Sequence, residues 1–290
     1  MMWTTDEKAD RAVWWFSNAH LKRHESPCDL RAHAHAYRVR LANKYPALVV
    51  VFICESISLP ELGFQITAMQ HLILTKLAVG NPTPEWLVHR LDIFKHYCAP
   101  SVLLQTYKNF RWLLAVNPAT PRWFLEAAGV AAANAEFVYH TEPTLTPRWT
   151  SLIRPFVNRG PLITTRLDSD DMVQRRFVEV VQAHSEYSPY DEVIDFPIGL
   201  RVNLPDFAYV TLMEKRPTHF ISLIERSDVH KTVCSFSHKR ADRNYPIRTA
   251  SLQPFWAELC HGQNIVNALR PNDAMGYLDR AMLMRLMLQQ

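Results

Sequence analysis

The chain has 290 residues, 48% of them hydrophobic and 21% charged, which is the composition of a globular protein and not of a disordered or fibrous one. The 32 Lys and Arg residues against 28 Asp and Glu leave a net charge of +4, which permits an anionic ligand without demanding one. With 7 glycines and no G-x-G-x-x-G, G-x-x-x-x-G-K-[ST] or G-x-S-x-G motif, the sequence excludes the common dinucleotide-binding, P-loop, protein-kinase and α/β-hydrolase designs.

The longest apolar run, residues 47–54, is far short of the ~20 residues a membrane-spanning helix needs, so no membrane span is expected. Asp6, Glu7, Lys8, Asp10 and Arg11 precede Trp14 and Trp15, which is not the order of a secretory signal, and a cytoplasmic address is expected. The five cysteines are scattered, with no C-x-x-C pair, and read as buried thiols.

In chain order, residues 9–25 and 30–44 read as helices and 47–54 as a buried strand. Together they give a mainly helical N-terminal extension over 1–65, ahead of one α/β domain over 66–290. Trp14, Trp15 and Phe16 suggest that the extension packs on its own domain or on a second copy of the chain, as a homo-oligomer. From residue 71 an alternation begins. Strands are predicted over 71–79, 111–116, 137–140 and 161–167, and helices over 85–105, 121–133, 147–158 (interrupted at Pro155) and 172–184. Strands alternating with helices imply crossovers and a mixed, mainly parallel central sheet flanked by helices. Beyond residue 190 the segments 193–201, 207–213, 219–224 and 232–236 read as an antiparallel or mixed group of strands, followed by helices over 254–269 and 273–288.

The sharpest chemical feature is Arg166-Leu167-Asp168-Ser169-Asp170-Asp171, an apolar strand running into three carboxylates. Ligands of open α/β sheets sit beyond the carboxyl ends of strands, where these acids fall. In extended chain, residues two apart point the same way, so Asp168 and Asp170 converge on one hard cation, Mn²⁺ or Mg²⁺, able to neutralise a diphosphate. The competing reading is that Asp170 or Asp171 caps the helix expected from Met172. Arg166 either stays by the diphosphate or pairs with Asp168 or Asp171. His20 and His24 stand at helical spacing without a third ligand, and His261-Gly262-Gln263-Asn264 interrupts the helix expected over 254–269.

The set HLILTKLAV, WLVHRLDIFKHYCAPSVLLQTYKNFRWLLAVNPATP and PLITTRLDSDDMV resembles the rhamnosyltransferase family of GT-A glycosyltransferases, relatives of the family-2-like enzymes. The likeness runs from about His71 to about Leu269 and leaves the first sixty-five or so residues outside. It implies a GT-A nucleotide-diphospho-sugar transferase fold, with a D-x-D motif at Asp168 and Asp170 holding the metal against the donor diphosphate. It also implies donor contacts from Thr75, Lys76 and Asn117. Many relatives carry an acid at the position of Asn117 and an arginine at that of Lys76; the lysine keeps the charge but loses the guanidinium fork. Relatives further imply a third metal ligand, here His238, and a catalytic base, here Glu225 or Asp195, that deprotonates an acceptor hydroxyl.

The expected activity is therefore an inverting, metal-dependent transfer of rhamnose or another hexose. The donor would be a UDP-, GDP- or dTDP-sugar, and the acceptor a glycan, protein or modified nucleic acid. The rival readings are a GT-A-like binding module without turnover and a nucleic-acid-binding or -modifying protein, the latter motivated by the basic stretch 11–40.

Overall fold

The computed structural model describes residues 69–289 apart from 81, 143, 145, 187, 265–267 and 270–273, together with the backbone of two short strands, 11–15 and 49–53. The chain divides into two compact units, Met1–Ile66 and Thr67–Gln290. In the first, β1 (Arg11–Trp15) pairs in parallel with β2 (Val49–Ile53), so the helix expected over 9–25 gives way to a strand at 11–15. The aromatic and β-branched run there suits an extended chain. The helix expected over 30–44 lies outside the described residues.

The second unit is a mixed α/β fold whose main sheet is rich in parallel pairs, as expected. Its strands are β3 (Gln70–Ala78), β4 (Arg111–Val116), β5 (Ala135–Tyr139), β6 (Leu162–Arg166), β8 (Glu192–Asp195), β11 (Ser222–Glu225) and β12 (Ile247–Thr249), in the order β12-β8-β11-β6-β3-β4-β5. β6, β3, β4 and β5 run parallel to one another, and β11 is antiparallel to both β6 and β8. The alternation along β3 sends Leu72 and Leu74 to a layer with Trp149, Ile153 and Val138, and Ile73 and Leu77 to a layer with Phe94, Phe124 and Phe177. Both faces are thus covered, which is the usual condition of a parallel sheet.

The helix expected over 85–105 forms in three pieces: α1 (Pro84–Ile93), a wide π turn over Phe94–Cys98, and α2 (Ala99–Leu103). Pro100 lacks an N–H and its ring collides with the preceding turn, and the π turn relieves both by letting Ala99 bond back to Phe94. α3 (Arg122–Ala131) follows β4; the stretch before β6 is broken at Pro155 into α4 (Trp149–Leu152) and a 3₁₀ turn, as the proline predicts.

A second sheet, absent from the sequence reading, has the order β14-β10-β9-β13-β7. Its members are β7 (Met172–Val173), β9 (Ile198–Asn203), β10 (Ala208–Met213), β13 (Trp256–Cys260) and β14 (Gly276–Tyr277). Pro197 separates β8 from β9 within the single strand expected over 193–201; without a donor it cannot continue the ladder, and the chain passes there from one sheet to the other. Three expected elements change. Met172 and Val173 pair with β13, so the helix α5 (Phe177–Glu186) starts five residues late. The stretch expected as strand 232–236 is a 3₁₀ turn. The start of the helix expected over 254–269 is β13, all five of whose residues are buried; the last helix, expected over 273–288, forms as α6 (Arg280–Leu288).

His71 ties the main sheet to α5. Gln182 Nε2 donates to its Nδ1 at 3.2 Å and its Nε2 meets Thr165 Oγ1 at 2.7 Å, with Ser222 Oγ a further 2.6 Å on. Burial lowers the His71 imidazole from 6.5 to about 3, so the folded state holds it neutral while the unfolded chain protonates near 6.5. Its contribution to stability is therefore full above 6.5 and is lost as pH falls toward 3, by up to about 1.4 kcal/mol per pH unit. Chemical denaturation between pH 7 and 4 should show this slope, and His71→Gln should be flatter by about that amount.

Candidate active site

The acids after β6 do not continue as a strand. Asp171 N–H bonds back to Asp168 C=O at 3.2 Å, closing a turn in which residues three apart, not two, come together. Asp168, Asp171 and His219 each offer a ligand atom, and the three atoms lie within 4.8 Å of one another. Asp170 is turned to other partners: Arg90 at 2.6 Å and His261 Nε2 at 3.0 Å, with His89 Nε2 a further 2.9 Å from His261 Nδ1. Arg166 lies 2.8 Å from Asp168, which is the pairing the sequence left open.

His219 reaches this point because β11 is antiparallel to β6. Ser222 stands opposite Thr165, so the residues preceding β11 emerge at the acidic edge, and Ile221 C=O accepts from Arg166 N–H. The second sheet supplies the other wall. Leu259 N–H donates to Asp171 Oδ1 at 3.1 Å, and Glu258 meets Arg201 at 2.5 Å with its other oxygen 3.9 Å from His219. Trp256 stacks on Phe220, 4.6 Å between centroids, and its indole N–H bonds Phe196 C=O.

Burial alone would raise the Asp168 carboxyl, but Arg166 and His219 outweigh it and hold the acid below the usual carboxylate range. Burial prevails at Asp171 and pushes it up to about 7, against the hydrogen bond from His219. Burial would lower His219, and Asp171 and Asp168 reverse that, so the ring holds its proton more tightly than free histidine. His238, lowered to about 4 by burial and then by Arg166, is neutral near pH 7.

These residues floor a cleft of about 870 Å³ that also takes in Lys76, Thr218 and His238. A second pocket of about 340 Å³ adjoins it across Lys76, Arg166 and Asp168 and is lined by Leu74, Trp149 and Phe236.

Of the expected donor contacts, Lys76, Arg166 and Asp168 line the cleft. Thr75 is buried, its hydroxyl taking the Trp112 indole N–H at 3.0 Å, and so belongs to the core. Asn117 ties two turns together, donating to Gly80 C=O at 2.6 Å and accepting from Ala119 N–H at 2.8 Å. His238 lies at the cleft wall, 3.4 Å from Arg166 but outside the three-ligand cluster. Glu225 is not brought to the cleft: in the antiparallel register it faces Leu162, at the opposite end of β6, and accepts from the backbone of Lys231 and Thr232. Asp195 ends β8 on the acidic edge, one side chain behind the wall, accepting both N–H and O–H of Thr218 at 2.9 Å.

The residues that sequence reasoning passed over are Asp171 as a ligand, and His219, Arg90, His261, Glu258 and Arg201. Only His261 carried a signal, its neighbour Gly262, whose φ of 80° ends β13 in a left-handed turn.

The family model described as "Putative rhamnosyl transferase" matches residues 57–273, and the chain belongs to that family. No curated protein matches. Among solved structures, the chain is similar to S. aureus TarS 1–349 in complex with UDP-GlcNAc, at 12% identity, covering 76% of this chain and 65% of that one, TM-score 0.44. It is similar to the same fragment with UDP at 13% identity, over 66% and 60% of the two chains, TM-score 0.43. A likeness to the inositol-1-phosphate CTP transferase from T. maritima has 14% identity, 69% and 93% coverage and a TM-score of 0.34. The match thus spans under two thirds of the TarS fragments, and the chemistry has to be argued from this chain's own residues.

Trp256 can lie against the cleft because Gly199 has no side chain: a Cβ there would stand 2.0 Å from the indole. Gly199→Ala should therefore push Trp256 off Phe220 and lower the melting temperature by roughly 2–12 °C, since overpacking costs about 1–3 kcal/mol. Differential scanning fluorimetry checks this.

Proposed function

We propose that the chain is a metal-dependent glycosyltransferase that moves a sugar from a nucleoside diphosphate to an acceptor hydroxyl with inversion. The observation that carries this reading is the convergence of Asp168, Asp171 and His219 in the cleft, beside Lys76 and Arg166. Two carboxylates and an imidazole are a donor set that would fit Mn²⁺ or Mg²⁺. A bound ion would supply positive charge against the leaving diphosphate. We assign the ligand set to Asp168, Asp171 and His219, in place of Asp168, Asp170 and His238, because the turn at 168–171 brings the former together.

Lys76 would hold the diphosphate, with Arg166 beside it keeping its pair with Asp168, and the adjoining pocket, with Leu74, Trp149 and Phe236, suits a flat base. In the transfer, the acceptor oxygen attacks the anomeric carbon as the bond from that carbon to the diphosphate oxygen breaks. The nucleoside diphosphate leaves with the bonding electrons. For the acceptor proton we assign Asp195, reached through the Thr218 hydroxyl that bonds it; burial raises this acid and so makes it a better base. A rhamnosyl donor follows from the family description alone.

A thermal-shift series with UDP, GDP and dTDP, with and without Mn²⁺, tests the reading. One nucleotide at about a hundred times its Kd should add about 2.7 kcal/mol, roughly 5–10 °C, only with the metal present. Asp168→Asn and Asp171→Asn should lose the metal-dependent part, whereas Asp170→Asn should keep it. No shift with any nucleotide, or loss in Asp170→Asn alone, contradicts the assignment.

A further inference from the structure

The cleft holds more positive charge than its acids and the proposed ligands account for. Seven cationic side chains line it against five acidic ones. Arg90, Arg166 and Arg201 are each committed to an acid, at 2.6 Å from Asp170, 2.8 Å from Asp168 and 2.5 Å from Glu258. Lys76, Lys215, Arg216 and Lys239 form no ion pair among the described residues. Glycosyl transfer, on which this inference rests, adds a divalent cation and a sugar nucleotide whose diphosphate carries two negative charges. Those cancel, and the surplus stays.

Lys76, two residues before the end of β3, lines the cleft with Arg166 and falls to the diphosphate. The other three stand at the rim, all exposed, on two segments that enter the site from outside the nucleotide half of the sheet. Lys215 and Arg216 lie in the connection from β10 to β11. Arg216 is three residues before His219, which places its Cα within ~11 Å of that residue's. Lys239 follows His238 in the 3₁₀ turn His238–Arg243, which also carries Arg240 and Arg243, both exposed. Exposed cations at the mouth of a cleft raise the local concentration of an anionic partner and fix its approach.

We propose that the acceptor is an acidic glycan, bearing carboxylate or phosphate groups near the hydroxyl that is glycosylated, and that Lys215, Arg216 and Lys239 select it. A nucleic acid is the less fitting polyanion. Grooves that take single strands interleave cations with exposed aromatic faces, and among the described residues no exposed aromatic side chain lines this cleft: Trp256 is buried and Arg90 covers the Trp86 ring at 4.7 Å.

Microscale thermophoresis of the full chain with a galacturonate heptamer, a phosphorylated mannan oligosaccharide, neutral maltoheptaose and an oligothymidylate tests this, at low salt and at ~0.3 M salt. At least one acidic oligosaccharide should bind more than ~tenfold tighter than maltoheptaose and weaken with salt. The triple variant Lys215→Glu, Arg216→Glu, Lys239→Glu should lose that preference while its melting temperature without ligand stays unchanged. Equal binding of the neutral oligosaccharide, tighter binding of the oligothymidylate, no binding of any acidic oligosaccharide, or a preference that survives in the variant would each overturn the proposal. UDP with Mn²⁺, titrated in parallel, separates the two readings. Acidic-glycan binding without nucleotide binding removes glycosyl transfer and supports the cationic rim; nucleotide binding without acidic preference does the reverse.

Discussion

Three carboxylates within four residues cannot share a largely buried turn unless each is given a positive or hydrogen-bonding partner, and the architecture around Asp168–Asp171 is arranged to supply one apiece. Arg166 from β6 serves Asp168, Arg90 from α1 and His261 after β13 serve Asp170, and His219 with the Leu259 N–H serves Asp171. The partners come from the strand itself, the first helix, the antiparallel strand and the second sheet. The turn is therefore the point at which the separately formed parts of the domain must agree.

That agreement yields a division of labour among chemically identical side chains. Asp170 is consumed by a cation and an imidazole, which leaves Asp168 and Asp171 as the pair facing the cleft together with His219. The same cleft is bordered on one side by the ends of parallel strands and on the other by β13 and the β10–β11 connection, so a nucleotide and an acceptor can approach from different sheets. The cations follow the same split: Arg90, Arg166 and Arg201 neutralise the floor, while Lys215, Arg216 and Lys239 are left for what enters from outside.

Much of the first half of the domain was legible in the sequence, because strands buried on both faces read as short apolar runs between proline and asparagine turns. The segment 111–116 is bounded as predicted. The second half was not, and the reasons are physical. β13 contains Glu258, which reads as the exposed face of a helix until its partner, Arg201 of β9, 57 residues away, is known. Asp171 stood outside the expected metal pair, with a helix cap at Asp170 or Asp171 as the competing reading, because nothing local shows that Met172 and Val173 pair with β13. The segment 219–224 reads as a strand with Glu225 as the polar group at its end; with β11 antiparallel it is His219, ahead of its start, that meets the acids. Strand direction is a property of the whole sheet, and the side on which a polar strand end emerges cannot be read from the segment.

The proposed function turns on which carboxylates would hold a metal. Anomalous diffraction from crystals soaked with Mn²⁺ and UDP measures that directly. The account predicts one strong peak bounded by Asp168, Asp171 and the His219 ring, with Asp170 still on Arg90 and His261. A peak coordinated by Asp170, or nucleotide bound in the cleft with no metal at its diphosphate, would contradict it.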